Sequence, residues 1–208
     1  QGLAIVPQVS CRPLNFDFDM AEPFTLEVLP PFKAVSAADR DGKMRIYRDP
    51  DFRRTLKDLL ASGGAGPFGD AWGRTWISSC PLEPALEERR LDDVARARGV
   101  DPVDLLLDLS LASGLTARFR MAIVNYVEDD VAELLVDKHT VLGLSDAGAH
   151  ASQLCDACFS THLLGRWVRE KGVLALEEAV RMLTSRPAEV LGLADRGRLA
   201  VGLPADVV

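Results

Sequence analysis

A short apolar run that breaks off on a carboxylate constrains this chain more than any other feature: Val141-Leu-Gly-Leu-Ser-Asp-Ala-Gly-Ala-His150. With no turn residue except Gly143, Thr140–Ser145 reads as a strand buried on both faces, the pattern of a parallel sheet. The run ends at Ser145-Asp146 and gives way to small residues and a glycine, so one carboxylate is delivered to a strand's C-terminal tip. In an α/β barrel that tip is where chemistry is placed. The same Asp146 also suits the cap of a turn, and the local pattern alone leaves both readings open.

The flanking sequence supplies the rest of an α/β alternation. Leu3–Ser10 is an apolar, β-branched run of strand type. Residues 12–40 carry prolines and aromatics without period and read as an extended insertion, and residues 62–83 are glycine-rich and irregular, with Trp72 and Trp76 as anchors. Between them Phe52, Leu56, Leu59 and Leu60 recur at helical spacing and stop at Gly63-Gly64. Leu91, Val94 and Ala95 predict a helix closed by Gly99, and Asp101-Pro102 supplies an N-cap with proline in the first turn of the next. Arg118–Val124 reads as a strand and Glu128–Val136 as a helix whose acidic start suits the dipole. Phe159, Leu163, Leu164, Trp167 and Val168 define a further helix, Leu176–Leu183 another, and Pro187 to Gly192 a last short one. Strand and helix alternating in this way is the grammar of an α/β fold with a parallel sheet.

Composition excludes several functions. A net charge of −7 argues against nucleic acid, which needs a concentrated basic face. No apolar run approaches the ~20 residues that span a bilayer, so no membrane role and a cytoplasmic setting are expected. Cys155-Asp-Ala-Cys158 has the spacing of half a zinc site or a redox pair. Without a second pair at that spacing, two free packing thiols are the expectation.

The C-terminal stretches Leu176-Glu-Glu-Ala-Val-Arg-Met-Leu-Thr-Ser-Arg-Pro-Ala-Glu-Val-Leu-Gly-Leu and Arg196-Gly-Arg-Leu-Ala-Val-Gly-Leu-Pro-Ala-Asp-Val-Val208 resemble the signature of the amidohydrolase superfamily. Within it the chain is most similar to the D-aminoacylase group, the N-acyl-D-amino-acid deacylases. The likeness runs back through Ser145-Asp146 and Leu91-Asp-Asp-Val-Ala-Arg-Ala-Arg-Gly-Val-Asp-Pro. It reaches Val6-Pro-Gln-Val-Ser-Cys-Arg-Pro13 more loosely, and residues 14–83 match poorly.

The resemblance implies the C-terminal part of a (β/α)8 TIM-like barrel over residues 1–195, with Leu3–Ser10 as its seventh strand and an irregular insertion at about 14–83. Residues 196–208 would begin a β-sandwich strand. It implies a metal-dependent hydrolase of amide C–N bonds acting on a small-molecule amide, most like an N-acyl-amino-acid deacylase, with zinc or another divalent metal as cofactor. Asp146 would bind that metal, take a proton from the metal-bound hydroxide and pass it to the leaving nitrogen, a task for a carboxylate.

His150 is a candidate substrate contact, with a solvent-facing loop histidine as the alternative. D-aminoacylases place an arginine about eleven residues past the catalytic aspartate, where this chain has Cys155-Asp156-Ala157-Cys158. Arg12 is the candidate to supply that charge, its alternative being a salt bridge that anchors the insertion. His139 precedes the strand and falls at the opposite, stability-related end, and His162 reads as a half-buried structural residue.

The superfamily's His-x-His pair has no counterpart among the three histidines, and catalytic zinc normally takes three protein ligands. The chain is therefore expected to be a fragment whose partner is a missing N-terminal portion of the same enzyme. Alone it is expected to lack amidase activity and to form oligomers or aggregates through open strand edges. A cyclic-amide hydrolase of the dihydroorotase or hydantoinase type and a non-catalytic remnant stand as alternatives.

Overall fold

The computed structural model describes residues 5–143, 147–148, 153–154 and 157–208. The chain divides into two compact units, one formed by residues 15–124 with 152–154 and the other by residues 1–14, 125–151 and 155–208.

In the first unit a three-stranded sheet of order β2–β4–β3 carries the core. Strand β2 (Leu14–Asp19) follows from the alternation Leu-Asn-Phe-Asp-Phe-Asp, which sends Phe16 and Phe18 to one face. Helices α1 (Phe32–Ser36), α2 (Arg40–Arg48) and α3 (Pro50–Ala61) come next. Asp39 caps α2 by accepting from the Gly42 amide at 2.8 Å, and Asp49 caps α3 by accepting from Asp51 at 2.9 Å.

Strand β3 (Thr75–Ser79), α4 (Leu91–Arg98), α5 (Pro102–Ala112) and β4 (Arg118–Val124) complete the unit. Val103, Leu105, Leu106, Leu107 and Leu109 of α5 are all buried, so this helix is apolar nearly all round, as a central helix must be. Arg53 of α3 reaches Asp104 at 3.2 Å and Asp108 at 2.7 Å, fixing α3 against α5.

The α4 helix ends on Gly99 in the left-handed conformation, φ +66° and ψ 32°, with its amide donating to the Ala95 and Arg96 carbonyls. An added Cβ at Gly99 would meet nothing within 4 Å, so the cost of a side chain there is conformational alone. Gly99→Ala is expected to destabilise the fold by about 1 kcal/mol, read as a lower urea midpoint at unchanged m-value. An unchanged midpoint would show that the cap carries no strain.

The second unit holds a parallel pair, β1 (Gln8–Val9) with β5 (Val141–Leu142), in the register Gln8↔Val141 and Val9↔Leu142. Around it lie α6 (Glu128–Val136), α7 (Phe159–His162), a π-helical segment Leu163–Glu170 that continues α7, then α8 (Leu176–Leu183) and α9 (Ser185–Leu191). Val9, Cys11, Val131, Leu135, Leu142, Leu163, Trp167, Leu174, Ala179 and Met182 form its core.

Four expectations differ from this architecture. The fold is mixed α/β, but β3 and β4 pair antiparallel, Thr75 opposite Met121 and Ile77 opposite Phe119. Local periodicity encodes a strand, whereas its direction is decided by how the chain returns. No closed barrel was expected of this chain, and the described residues form none; their strands fall into one pair and one set of three.

The span expected to be irregular, about 14–83, contains β2, α1, α2 and β3 besides the expected helix, α3. Its Phe18, Phe32, Tyr47, Phe52 and Leu56 are buried in the first unit's core. Residues 196–208 hold turns and no strand: a lone extended segment gains no ladder hydrogen bonds until another strand lies beside it. The helix expected from Phe159 widens after His162 into π geometry, marked by the Lys171 amide donating to Arg166 five residues back at 2.9 Å.

Candidate active site

The parallel register fixes the geometry of the candidate site. Because β1 and β5 run side by side in one direction, both leave the sheet at the same edge, the C-terminal one. The Gly143 amide donates to Val9 O at 3.0 Å and Val141 to Pro7 O at 3.0 Å, holding that edge. Past Val9 the chain continues through Ser10 and Cys11 to Arg12. Past Leu142 it continues to Gly143 and then to residues 144–146, which are outside the described set. The candidates Asp146 and His150, and Cys155 of the Cys-x-x-Cys motif, all lie outside the described residues.

Arg12 is half-buried, and its Nη1 donates to Cys158 Sγ at 2.7 Å. The residue before it is fixed twice. Trp167 Nε1 donates to the Cys11 carbonyl at 2.6 Å, and the Cys11 thiol donates to Phe159 O at 3.2 Å. Burial pushes the Cys11 thiol up to about 11, so at neutral pH it is a packing group rather than a nucleophile. Cys158, by contrast, is exposed.

His162, in α7, is half-buried, and its pKa is lowered by burial first and then by the positive charges of Arg12 and Arg166. His139 sits in the turn before β5, exposed, with Nδ1 3.0 Å from Asp137 Oδ1; it lies at the N-terminal end of the strand, away from the edge that carries Arg12. Among the described residues no group of three His, Cys, Asp or Glu could hold a metal ion. The described part of the chain therefore does not supply a metal's ligand set.

A charged clamp braces the second unit. Glu128, at the start of α6, receives Arg166 Nε at 2.8 Å and Lys171 Nζ at 2.6 Å. These two cations hold its carboxyl at about 2, against 4.5 for a free glutamate. A depressed folded-state pKa contributes stability that is present above the unfolded value and lost as pH falls through the folded one. Glu128→Gln is thus expected to flatten stability between about pH 4.5 and about 2. With its side chain 37% exposed, the effect is discounted for screening to at most about 1 kcal/mol. Acid-unfolding curves of the two proteins that stay parallel through this window would show that the clamp carries no net stability.

The contacts behind Arg12 carried no signal in the sequence. Cys158 and Trp167 stand 146 and 156 residues away from the groups they bond, and neither has a spacing or motif that points to β1.

The chain belongs to the Amidohydrolase family, whose profile matches residues 26–208. It is 36% identical over 138 residues to a D-aminoacylase of Alcaligenes xylosoxydans xylosoxydans, a match covering 65% of this chain and 27% of that protein. It is 65% identical over 48 residues to an N-acyl-D-glutamate deacylase of the same organism, covering 23% of this chain and 10% of that protein.

Among solved structures, the N-acyl-D-glutamate deacylase of Bordetella bronchiseptica, complexed with zinc and a phosphonate inhibitor, superposes with a TM-score of 0.45 at 21% identity. That superposition covers 99% of this chain and 33% of the other. The chain thus spans about a quarter to a third of the length of a D-aminoacylase or deacylase of this kind. Among the described residues no helix is long and apolar enough to cross a membrane.

Proposed function

We propose that this chain is part of a metal-dependent hydrolase of amide C–N bonds and that its substrate is an N-acyl-amino acid. The observation that carries the reading is the parallel β1–β5 register in a chain of the Amidohydrolase family. Two neighbouring strands end on one edge, one continuing in sequence to Arg12 and the other to Asp146. In α/β enzymes that edge carries the chemistry.

In this reading Asp146 is the proton carrier. One carboxylate oxygen accepts the proton of the attacking water as the new C–O bond forms, and returns it to the amide nitrogen as the C–N bond breaks. The products are a carboxylic acid and a free amine. Arg12 offers a guanidinium to the substrate's α-carboxylate, and His150 contacts the bound substrate. Asp146 would be this chain's ligand to zinc or another divalent ion, which when bound would supply polarisation of the scissile carbonyl. The cyclic amides of dihydroorotase-type enzymes are the competing substrate class.

The test is a substrate panel given to the full-length protein that contains this sequence. N-acetyl-D- and N-acetyl-L-amino acids are compared with a hydantoin and with N-acetylated amines that lack a carboxylate. Turnover of the N-acyl-amino acids, with loss of kcat/KM when the carboxylate is absent, is the expected result. Turnover of the hydantoin alone would replace this reading with that of a cyclic-amide hydrolase, and no turnover of any would favour a non-catalytic protein.

A further inference from the structure

The first unit contains a cavity of about 440 Å³ lined by Phe16, Phe24, Thr25, Glu27, Val28, Phe68 and Ile123. Its floor follows from the pleat. Phe16 is two residues before Phe18 on β2, and Ile123 two residues after Met121 on β4, so the apolar face that buries Phe18 and Met121 in the core continues outward as the cavity wall. The rim is a fixed turn: the Leu26 amide donates to Pro23 O at 2.8 Å and the Leu29 amide to Leu26 O at 2.9 Å, with Leu26 and Leu29 buried beneath. On that anchored turn Phe24 is 40% and Val28 74% exposed. A cavity of this size with a few polar groups in an apolar lining is of small-molecule scale.

Among the described residues Glu27 is the one ionisable residue of the lining; it is half-buried, and no cation among those residues pairs with it. Three phenyl rings and one glutamate, with no basic group among the described lining residues, disfavour anions and favour a positive charge carried on an apolar body. The carboxylate attracts it, and aromatic faces accept an ammonium group that has shed its water.

We propose that this cavity is a binding site for a small organic ammonium ion with an aromatic or aliphatic body. The site lies wholly within the first unit and does not depend on the hydrolase reading.

The probes are phenethylammonium, neutral 2-phenylethanol and anionic 3-phenylpropanoate, titrated by ligand-observed NMR into the full-length protein that contains this sequence. Phenethylammonium is expected to bind about tenfold more tightly than 2-phenylethanol, the scale of a combined cation–aromatic and carboxylate contact, and 3-phenylpropanoate most weakly. Glu27→Gln should erase the preference for the cation while leaving 2-phenylethanol binding in place. Phe24→Ala should weaken both.

Equal affinity for the cation and the alcohol, a cation preference that survives Glu27→Gln, or no saturable binding of phenethylammonium would each overturn the proposal. So would a dimer dissociated by Phe24→Ala that binds no ammonium, which would make a second copy of the chain the occupant.

Discussion

Asp146→Asn is expected to reduce kcat/KM of the full-length protein in the proposed amide hydrolysis by at least a hundredfold while leaving its thermal unfolding unchanged. The amide matches the carboxylate in size and still forms hydrogen bonds, so the fold has no reason to respond. What it cannot do is hold the water's proton between formation of the C–O bond and release of the amine. Loss of a general acid–base group costs roughly 10²–10⁴-fold, and any part Asp146 plays in holding a divalent ion adds to that. The measurement is steady-state hydrolysis of the best N-acyl-amino acid by both proteins. A variant that keeps more than about a tenth of the wild-type kcat/KM, against the loss expected for such a group, removes Asp146 from the reaction. Unchanged activity would return it to the turn cap that its Ser-Asp-Ala-Gly setting equally suits.

The elements that the sequence made legible are those whose determinants are local. The strand expected over Arg118–Val124 and the helix expected over Glu128–Val136 have those same bounds in the structure. In the first, Phe119 and Met121 alternate with arginines; in the second, three acids open the helix and Val131 and Leu135 are buried. Asp101 caps α5 by accepting from the Val103 amide at 2.8 Å, as an Asp-Pro start requires.

What was not legible is decided between distant residues. Arg118 of β4 donates to Asp17 of β2 at 2.8 Å, 101 residues apart. Trp76, expected only to anchor a loop, stands opposite Arg120 in the β3–β4 ladder and lies 5.9 Å from its guanidinium. Nothing within the Gly-rich stretch 62–83 announces that pairing, because a single strand's pattern does not name its neighbour.

The candidate site divides along the same line. Asp146 and His150 come from a motif and from family resemblance, and the edge on which their strand ends comes from the ladder. Arg12 could be named as a charge near a strand end. Its neighbourhood of Cys158, His162 and the twice-tethered Cys11 exists only in three dimensions.

Trp167 supplies one of the two tethers of that neighbourhood. Trp167 is 2% exposed and shares the second unit's core with Val9, Leu142, Leu163 and Met182. Its Nε1 satisfies the Cys11 carbonyl at 2.6 Å, and its own carbonyl accepts from the Val173 amide at 2.9 Å, closing the π-helical segment. Trp167→Ala removes the largest side chain of this core and leaves a cavity, at a cost of roughly 3–5 kcal/mol.

Trp167→Phe separates the two contributions. It keeps most of the packing but orphans the Cys11 carbonyl, which costs about 1–3 kcal/mol where water cannot replace the donor. Both are read from urea unfolding followed by circular dichroism, with the alanine variant also tested for a faster-reacting Cys11 thiol once its cover is gone. An alanine variant that loses less than about 1 kcal/mol, far below the usual cost of such a truncation, would mean that the strand end carrying Arg12 is held by something other than Trp167. Phenylalanine and alanine variants of equal stability would place the whole effect in the hydrogen bond and none in the packing.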